Sequence, residues 1–136
     1  MGRFVTRVSA AEMAARYNAR MIEIGISELL ANPVQYDGKQ VAVVGWFVNQ
    51  HEHCAIYNSQ LNPRASISRF GIWVVNPETQ GGRAAVTALS RHWVRVVGRF
   101  DNRRKSGCGH FNGWPAQIRG LKELKEAEPP HDKSVP

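Results

Sequence analysis

Gln40-Val-Ala-Val-Val-Gly-Trp-Phe-Val48 and Trp93-Val-Arg-Val-Val-Gly-Arg-Phe100 are the two stretches that decide how this chain folds. Both are dominated by β-branched and aromatic residues, which suit a pleated, half-buried surface, so both are predicted strands. Each carries a glycine in the same place: apolar run, glycine, one residue, phenylalanine. A glycine inside an otherwise strong strand marks a bulge or sharp bend, the device by which a sheet curls on itself.

Three weaker strands are predicted around these two. Ala55-Ile-Tyr57 is reached through the polar segment Asn49 to Cys54. Phe70 to Val75 follows the loop Asn58 to Arg69 and is stopped by Asn76-Pro77. Ala116 to Leu124 is the last strand, ahead of a proline-containing tail from Ala127. Between the third and fourth strands, Thr79 to Arg91 reads as helical despite Gly81 and Gly82, because Ala84, Ala85, Ala88 and Leu89 favour it. Upstream, Ser27 is placed to cap a short helix, Glu28 to Ala31. Asn32-Pro33 ends that helix, since the residue before proline is pushed out of helical geometry. Tyr36-Asp37-Gly38-Lys39 is a turn. Ser9 and Glu12 have the spacing of a capping box, with Met13, Ala14, Tyr17 and Met21 on one helical face behind it.

The order is thus helix, three strands, helix, two strands. The lack of strict strand–helix alternation argues against a doubly wound parallel sheet. Five strands with a helix between the third and fourth is the arrangement of the OB-fold, a five-stranded, partly open Greek-key barrel. The predicted fold is therefore mainly β, an OB-fold-like barrel over residues 26–126, with an N-terminal helical extension at 1–25 and a flexible tail at 127–136.

A chain of 136 residues, 43% hydrophobic and 21% charged, suits one domain with its own core and needs no disulfide or metal to hold it. Eighteen Lys and Arg against eleven Asp and Glu leave a net charge of +7, an excess that attracts polyanions, nucleic acid foremost. Arg99, Arg103, Arg104 and Lys105 lie close together, whereas the charges of the C-terminal region balance. Two cysteines, Cys54 and Cys108, are too few for a disulfide framework and fit a reducing compartment. No stretch approaches the ~20 apolar residues that span a bilayer, and Arg3 and Arg7 are not followed by a signal-peptide core. The expected setting is cytoplasmic, with no membrane partner.

The run Ile26-Ser-Glu-Leu-Leu-Ala-Asn-Pro33, then Tyr36-Asp-Gly-Lys39 and Val41 to Gly45, resembles the opening of a group of small, largely uncharacterised bacterial OB-fold domains. Glu52-His53-Cys54-Ala55-Ile56-Tyr57, Gly98-Arg-Phe100 and Gly109-His110 continue the resemblance, which covers about residues 26 to 124. It implies the barrel fold and a ligand edge containing Glu52, His53 and His110, but no established activity. The basic run Arg103-Arg-Lys-Ser-Gly-Cys108 departs from the neutral loop expected there.

In such a barrel, the loops joining strands one to two and four to five flank one binding face. Here they are Asn49 to Cys54 and Asp101 to Asn112. The leading expectation is a non-enzymatic module for single-stranded nucleic acid, with Trp46, Tyr57 or Trp73 stacking on bases and Arg95, Arg99, Arg103, Arg104 and Lys105 meeting phosphate. A protein-interaction domain is the first alternative. A zinc site drawn from His51, His53, Cys54, Cys108 and His110 is the second, since zinc takes nitrogen and sulfur ligands in a tetrahedron. His-x-His and Cys-x-His are weak patterns for it, and the expectation is no resident cofactor. His53 or His110 with Glu52 has the chemistry of an acid–base pair, and Cys108 that of a nucleophile. No nucleophile motif or phosphate-cradling loop accompanies them, so no catalytic residue is assigned.

Overall fold

The computed structural model describes residues 9–13, 21–60 and 68–130. Its strands are β1 (Ile22–Glu23), β2 (Gln40–Gln50), β3 (His53–Tyr57), β4 (Ile72–Val74), β5 (His92–Asn102) and β6 (Ala116–Glu126). Its short helices are α1 (Ile26–Ala31), α2 (Pro33–Tyr36) and α3 (Arg83–Ala88), with 3-10 turns at Ser68–Phe70, Pro77–Thr79 and His110–Asn112. β2 pairs antiparallel with β3 and β5, β3 with β4, and β6 with β5, while β4 and β6 run parallel. The ring β2-β3-β4-β6-β5 closes back on β2. This is the predicted OB-fold-like barrel, with β1 as a sixth strand outside it.

Alternation fills the barrel. Val41, Val43 and Phe47 of β2, Ile56 of β3, Ile72 and Val74 of β4, Val94, Val96 and Phe100 of β5, and Ala116 and Ile118 of β6 form one buried core. Ile26 and Leu29 of α1 and Val86 of α3 join the same core. Both glycine bends are close approaches. A Cβ on Gly45 would lie 2.7 Å from Ile26 Cδ1 and 2.9 Å from Ile56 Cβ, so only glycine lets α1 settle on the bend. Beside Gly98 the ladder shifts register: Val97 faces Glu123 and Arg99 faces Arg119, so the excess residues lie on β6, around Gly120 at φ +58°.

Several boundaries differ from the sequence reading. The helix expected over Thr79 to Arg91 is reduced to α3, because Gly81 and Gly82 take φ of +105° and +90° and separate it from the 3-10 turn. Gly25, not Ser27, occupies the N-cap of α1; Ser27 lies inside the helix and its Oγ accepts from Asn58 Nδ2 at 2.7 Å. Ile22 and Glu23 pair in parallel with Val41 and Ala42. Glu12 N–H donates to Ser9 Oγ at 3.1 Å, the first half of the capping box. The helical face expected beyond Met13 and the tail beyond Pro130 fall outside the described residues. No helix among the described residues is long and apolar enough to cross a membrane.

Candidate functional site

On β3 the side chains alternate between inside and outside. Cys54 and Ile56 pack into the barrel core, whereas Ala55 and Tyr57 belong to a second buried cluster with Cys108 and Trp114, flanked by Trp46, Val48 and Trp73. This second cluster is the outer face of β2, β3 and β4, and the loop between β5 and β6 covers it. Cys108 and Trp114 pair across that loop as an isolated antiparallel bridge, with Cys108 N–H to Trp114 O at 2.9 Å and Trp114 N–H to Cys108 O at 3.0 Å. Gly109, at φ +74°, crosses directly above Trp73, where a Cβ would come within 2.5 Å of the indole. Trp73 and Trp114 then meet as tilted rings, 58° apart with centroids at 4.7 Å.

Under this cover Tyr57 is 1% exposed. Its hydroxyl lies 2.7 Å from His53 Nε2, and the His53 ring meets Trp114 edge-on at 5.1 Å. Burial lowers the His53 pKa, so the neutral imidazole is favoured, and we assign Nε2 as acceptor of the Tyr57 hydroxyl proton. Burial also pushes the Tyr57 phenol up, with the Trp114 indole N–H pulling the other way. That N–H is buried without a partner of hydrogen-bond geometry, so it approaches the phenol without completing a bond.

The tight turn His51-Glu52 joins β2 to β3, in place of the longer loop Asn49 to Cys54 expected from sequence. Glu52, at φ +59°, sets one carboxylate oxygen 3.2 Å from His51 Nε2 and the other 3.0 Å from His110 Nε2. Glu52 thus ties the turn to the long loop, while His53 turns away to Tyr57. As a half-exposed pair it contributes about 0–1 kcal/mol. Among the described residues, no three His, Cys, Asp or Glu side chains are grouped as a metal ion requires. Cys54 faces the core on one side of the sheet and Cys108 lies in the outer cluster on the other. Burial pushes their thiols up to about 12 and about 11.

The basic residues divide into two groups. Arg95 lies between Glu23, at 3.0 Å, and Glu123, and Arg99 donates to the Gly38 carbonyl. Both are on β5, which borders neither β3 nor β4 in the ring. Arg103, Arg104 and Lys105 stand exposed on the long loop. Arg104 Nη2 donates to the Leu30 carbonyl at 2.8 Å, and Arg103 Nη2 is 3.9 Å from Asp101 Oδ2, a carboxylate that Arg119 holds more closely at 2.7 Å.

Two aromatic side chains not singled out from sequence stand in solvent on this side. Phe70 is 56% exposed, with the Arg69 guanidinium 4.9 Å from its ring centroid. Phe111 is 90% exposed at the tip of the long loop, its ring 4.0 Å from that of His110. The turn bearing Phe70 abuts that loop, because Ser68 Oγ lies 3.2 Å from where a Gly113 Cβ would be. The sequence signal was faint: one aromatic beside an arginine, and one between two polar residues. Between α1, the end of β3 and the long loop runs a groove of about 750 Å³, walled by Ile26, Leu30, Tyr57, Phe70 and Pro115. Among the described residues, the charged ones lining it are Arg69 and Arg104, and no carboxylate lines it. No protein-family model and no curated protein matches the sequence.

Proposed function

We propose that the chain is a binding module for single-stranded nucleic acid, acting through the side of the barrel where the β2–β3 turn, the Ser68–Phe70 turn and the β5–β6 loop meet. The observation that carries this reading is the pair of exposed rings, Phe70 and Phe111, among Arg69, Arg103, Arg104 and Lys105. Aromatic faces beside cations suit an unpaired strand: every base has a π-face to stack and every linkage a phosphate to neutralise.

The reading shifts the stacking role. Tyr57 and Trp73, expected to stack, lie beneath the loop and support it, while Phe70 and Phe111 carry the contact. Arg103, Arg104 and Lys105 keep their phosphate role on the long loop; Arg95 is paired with Glu23 and Glu123. The net charge of +7 and the resemblance to bacterial OB-fold domains agree with this assignment. The two free thiols suit a cytoplasmic setting.

The test is fluorescence anisotropy with labelled single-stranded DNA and RNA over a series of salt concentrations. Affinity should fall linearly on a log–log plot, and Arg103→Ala/Arg104→Ala should lower the slope by about 1.4, roughly 0.7 for each phosphate no longer neutralised. Absence of binding at low salt would remove the reading and leave a protein partner as the one to pursue.

A further inference from the structure

We infer that the groove beside Phe70 receives a single nucleotide of the bound strand, its base inserted between α1 and the end of β3 and its phosphate held at the rim by Arg69 and Arg104. This inference rests on the single-strand reading and adds a defined subsite to it. The groove's size, about 750 Å³, lies within the roughly 300–1,000 Å³ of sites that enclose small organic ligands. Its walls are of two kinds. Ile26, Leu30, Phe70 and Pro115 form an apolar lining suited to a base face, and Ser27, Asn58 and Ser59 supply hydroxyl and amide groups along one side, the chemistry that meets a base edge.

Charge selects the occupant. An apolar ligand without charge has no use for two arginines at the rim, and a cationic one is repelled by them. A base with its phosphate matches both halves. Arg104 is already held in place through its bond to the Leu30 carbonyl, so its guanidinium is positioned at the rim before any ligand arrives. Arg69 lies over the Phe70 ring, so one aromatic both stacks its cation and faces the groove.

The site differs from the outer strand face beneath the long loop. That face is filled by Trp114 and Cys108, whereas the groove is open beside it, with Tyr57 bordering both. A strand crossing the exposed Phe111 therefore has a neighbouring recess into which one unstacked base can turn.

The test uses full-length protein and a single-stranded oligonucleotide carrying one 2-aminopurine, whose emission reports unstacking, with anisotropy followed on the same samples. Ala31→Trp places a bulky ring in the groove from an exposed helix position, so it adds no core strain; circular dichroism checks the fold. The expected result is a rise in 2-aminopurine emission on binding to the wild type. Ala31→Trp should abolish that rise and weaken binding about tenfold, the scale of one stacked base, while the salt-dependent remainder persists. Strand binding with unchanged emission, or with Ala31→Trp indistinguishable from wild type, overturns the subsite and leaves the single-strand reading standing. No strand binding by the wild type overturns both.

Discussion

Phe111 combines two unusual features whose consequences separate experimentally. Its ring is 90% exposed, and its backbone sits at φ 55°, ψ 23°, the left-handed region that disfavours a residue with a Cβ. Replacing it by alanine or by glycine removes the same ring, and with it the His110 contact, worth about 0.5–1.5 kcal/mol in either variant. The backbone then distinguishes the two. A left-handed non-glycine residue costs roughly 1–2 kcal/mol, which glycine relieves. Glycine's extra freedom in the unfolded chain takes back about 0.4–1 kcal/mol. Phe111→Gly should therefore match or exceed Phe111→Ala in stability, by up to about 1.5 kcal/mol, read from urea midpoints at constant m-value. Binding should not distinguish them: both lose a stacked base, about 1–3 kcal/mol, or roughly fivefold to more than a hundredfold in affinity by anisotropy. An alanine variant clearly more stable than the glycine variant would refute the backbone assignment. Wild-type affinity in both would refute the stacking role.

Three other outcomes are expected. Gly98→Ala forces a methyl to within 2.6 Å of Ile118 Cγ2 and 2.8 Å of the Arg119 carbonyl, so it should destabilise by about 1–3 kcal/mol in urea denaturation; Gly25→Ala, with nothing within 4 Å, should change stability by less than about 1 kcal/mol, because a weaker N-cap and a stiffer unfolded chain offset each other. Equal losses in the two variants would contradict the close packing at the bend. Burial raises the Cys54 thiol to about 12 and the Cys108 thiol to about 11, so iodoacetamide at pH 8 should modify both only after denaturant is added; rapid labelling of the native protein at Cys54 contradicts its place in the core. Burial also lowers the folded-state pKa of His53, so the unfolded chain binds this proton more readily. The stability it supports is complete above the unfolded value, about 6.5, and is lost as pH falls from there toward the folded value. His53→Gln, which cannot take up that proton, should flatten the fall in urea midpoint between pH 7.5 and 5, and an unchanged slope would remove His53 as its source.

The barrel was legible because its signals are local and strong. The β-branched runs of β2 and β5, interrupted by Gly45 and Gly98, specify strands that bend, and the order of elements then leaves one familiar closure. β1 was not legible: two residues carry no periodicity, and Ile22–Glu23 becomes a strand only because β2 offers it an edge. The helix between β4 and β5 is shorter than its alanines suggest, because two adjacent glycines at positive φ outweigh their propensity. At the site, alternation places Tyr57 on the outer face of β3, as an OB-like binding face requires. It does not reveal that Trp114 comes back across the long loop to cover it, an approach of high sequence separation with no pattern of its own. Phe111, a lone aromatic in a polar loop, looks the same in sequence whether it is buried or exposed; Phe70 reads as the start of the third strand, whereas β4 begins only at Ile72 and Phe70 ends the 3-10 turn before it.

The most direct test of the nucleic-acid reading is to map amide resonance shifts in isotope-labelled protein titrated with single-stranded oligonucleotide. The account predicts that the largest shifts fall at residues 68–71 and 103–113, with Arg95 and its partners Glu23 and Glu123 unmoved. Shifts centred on Arg95 and β1, or none at low salt, would contradict it.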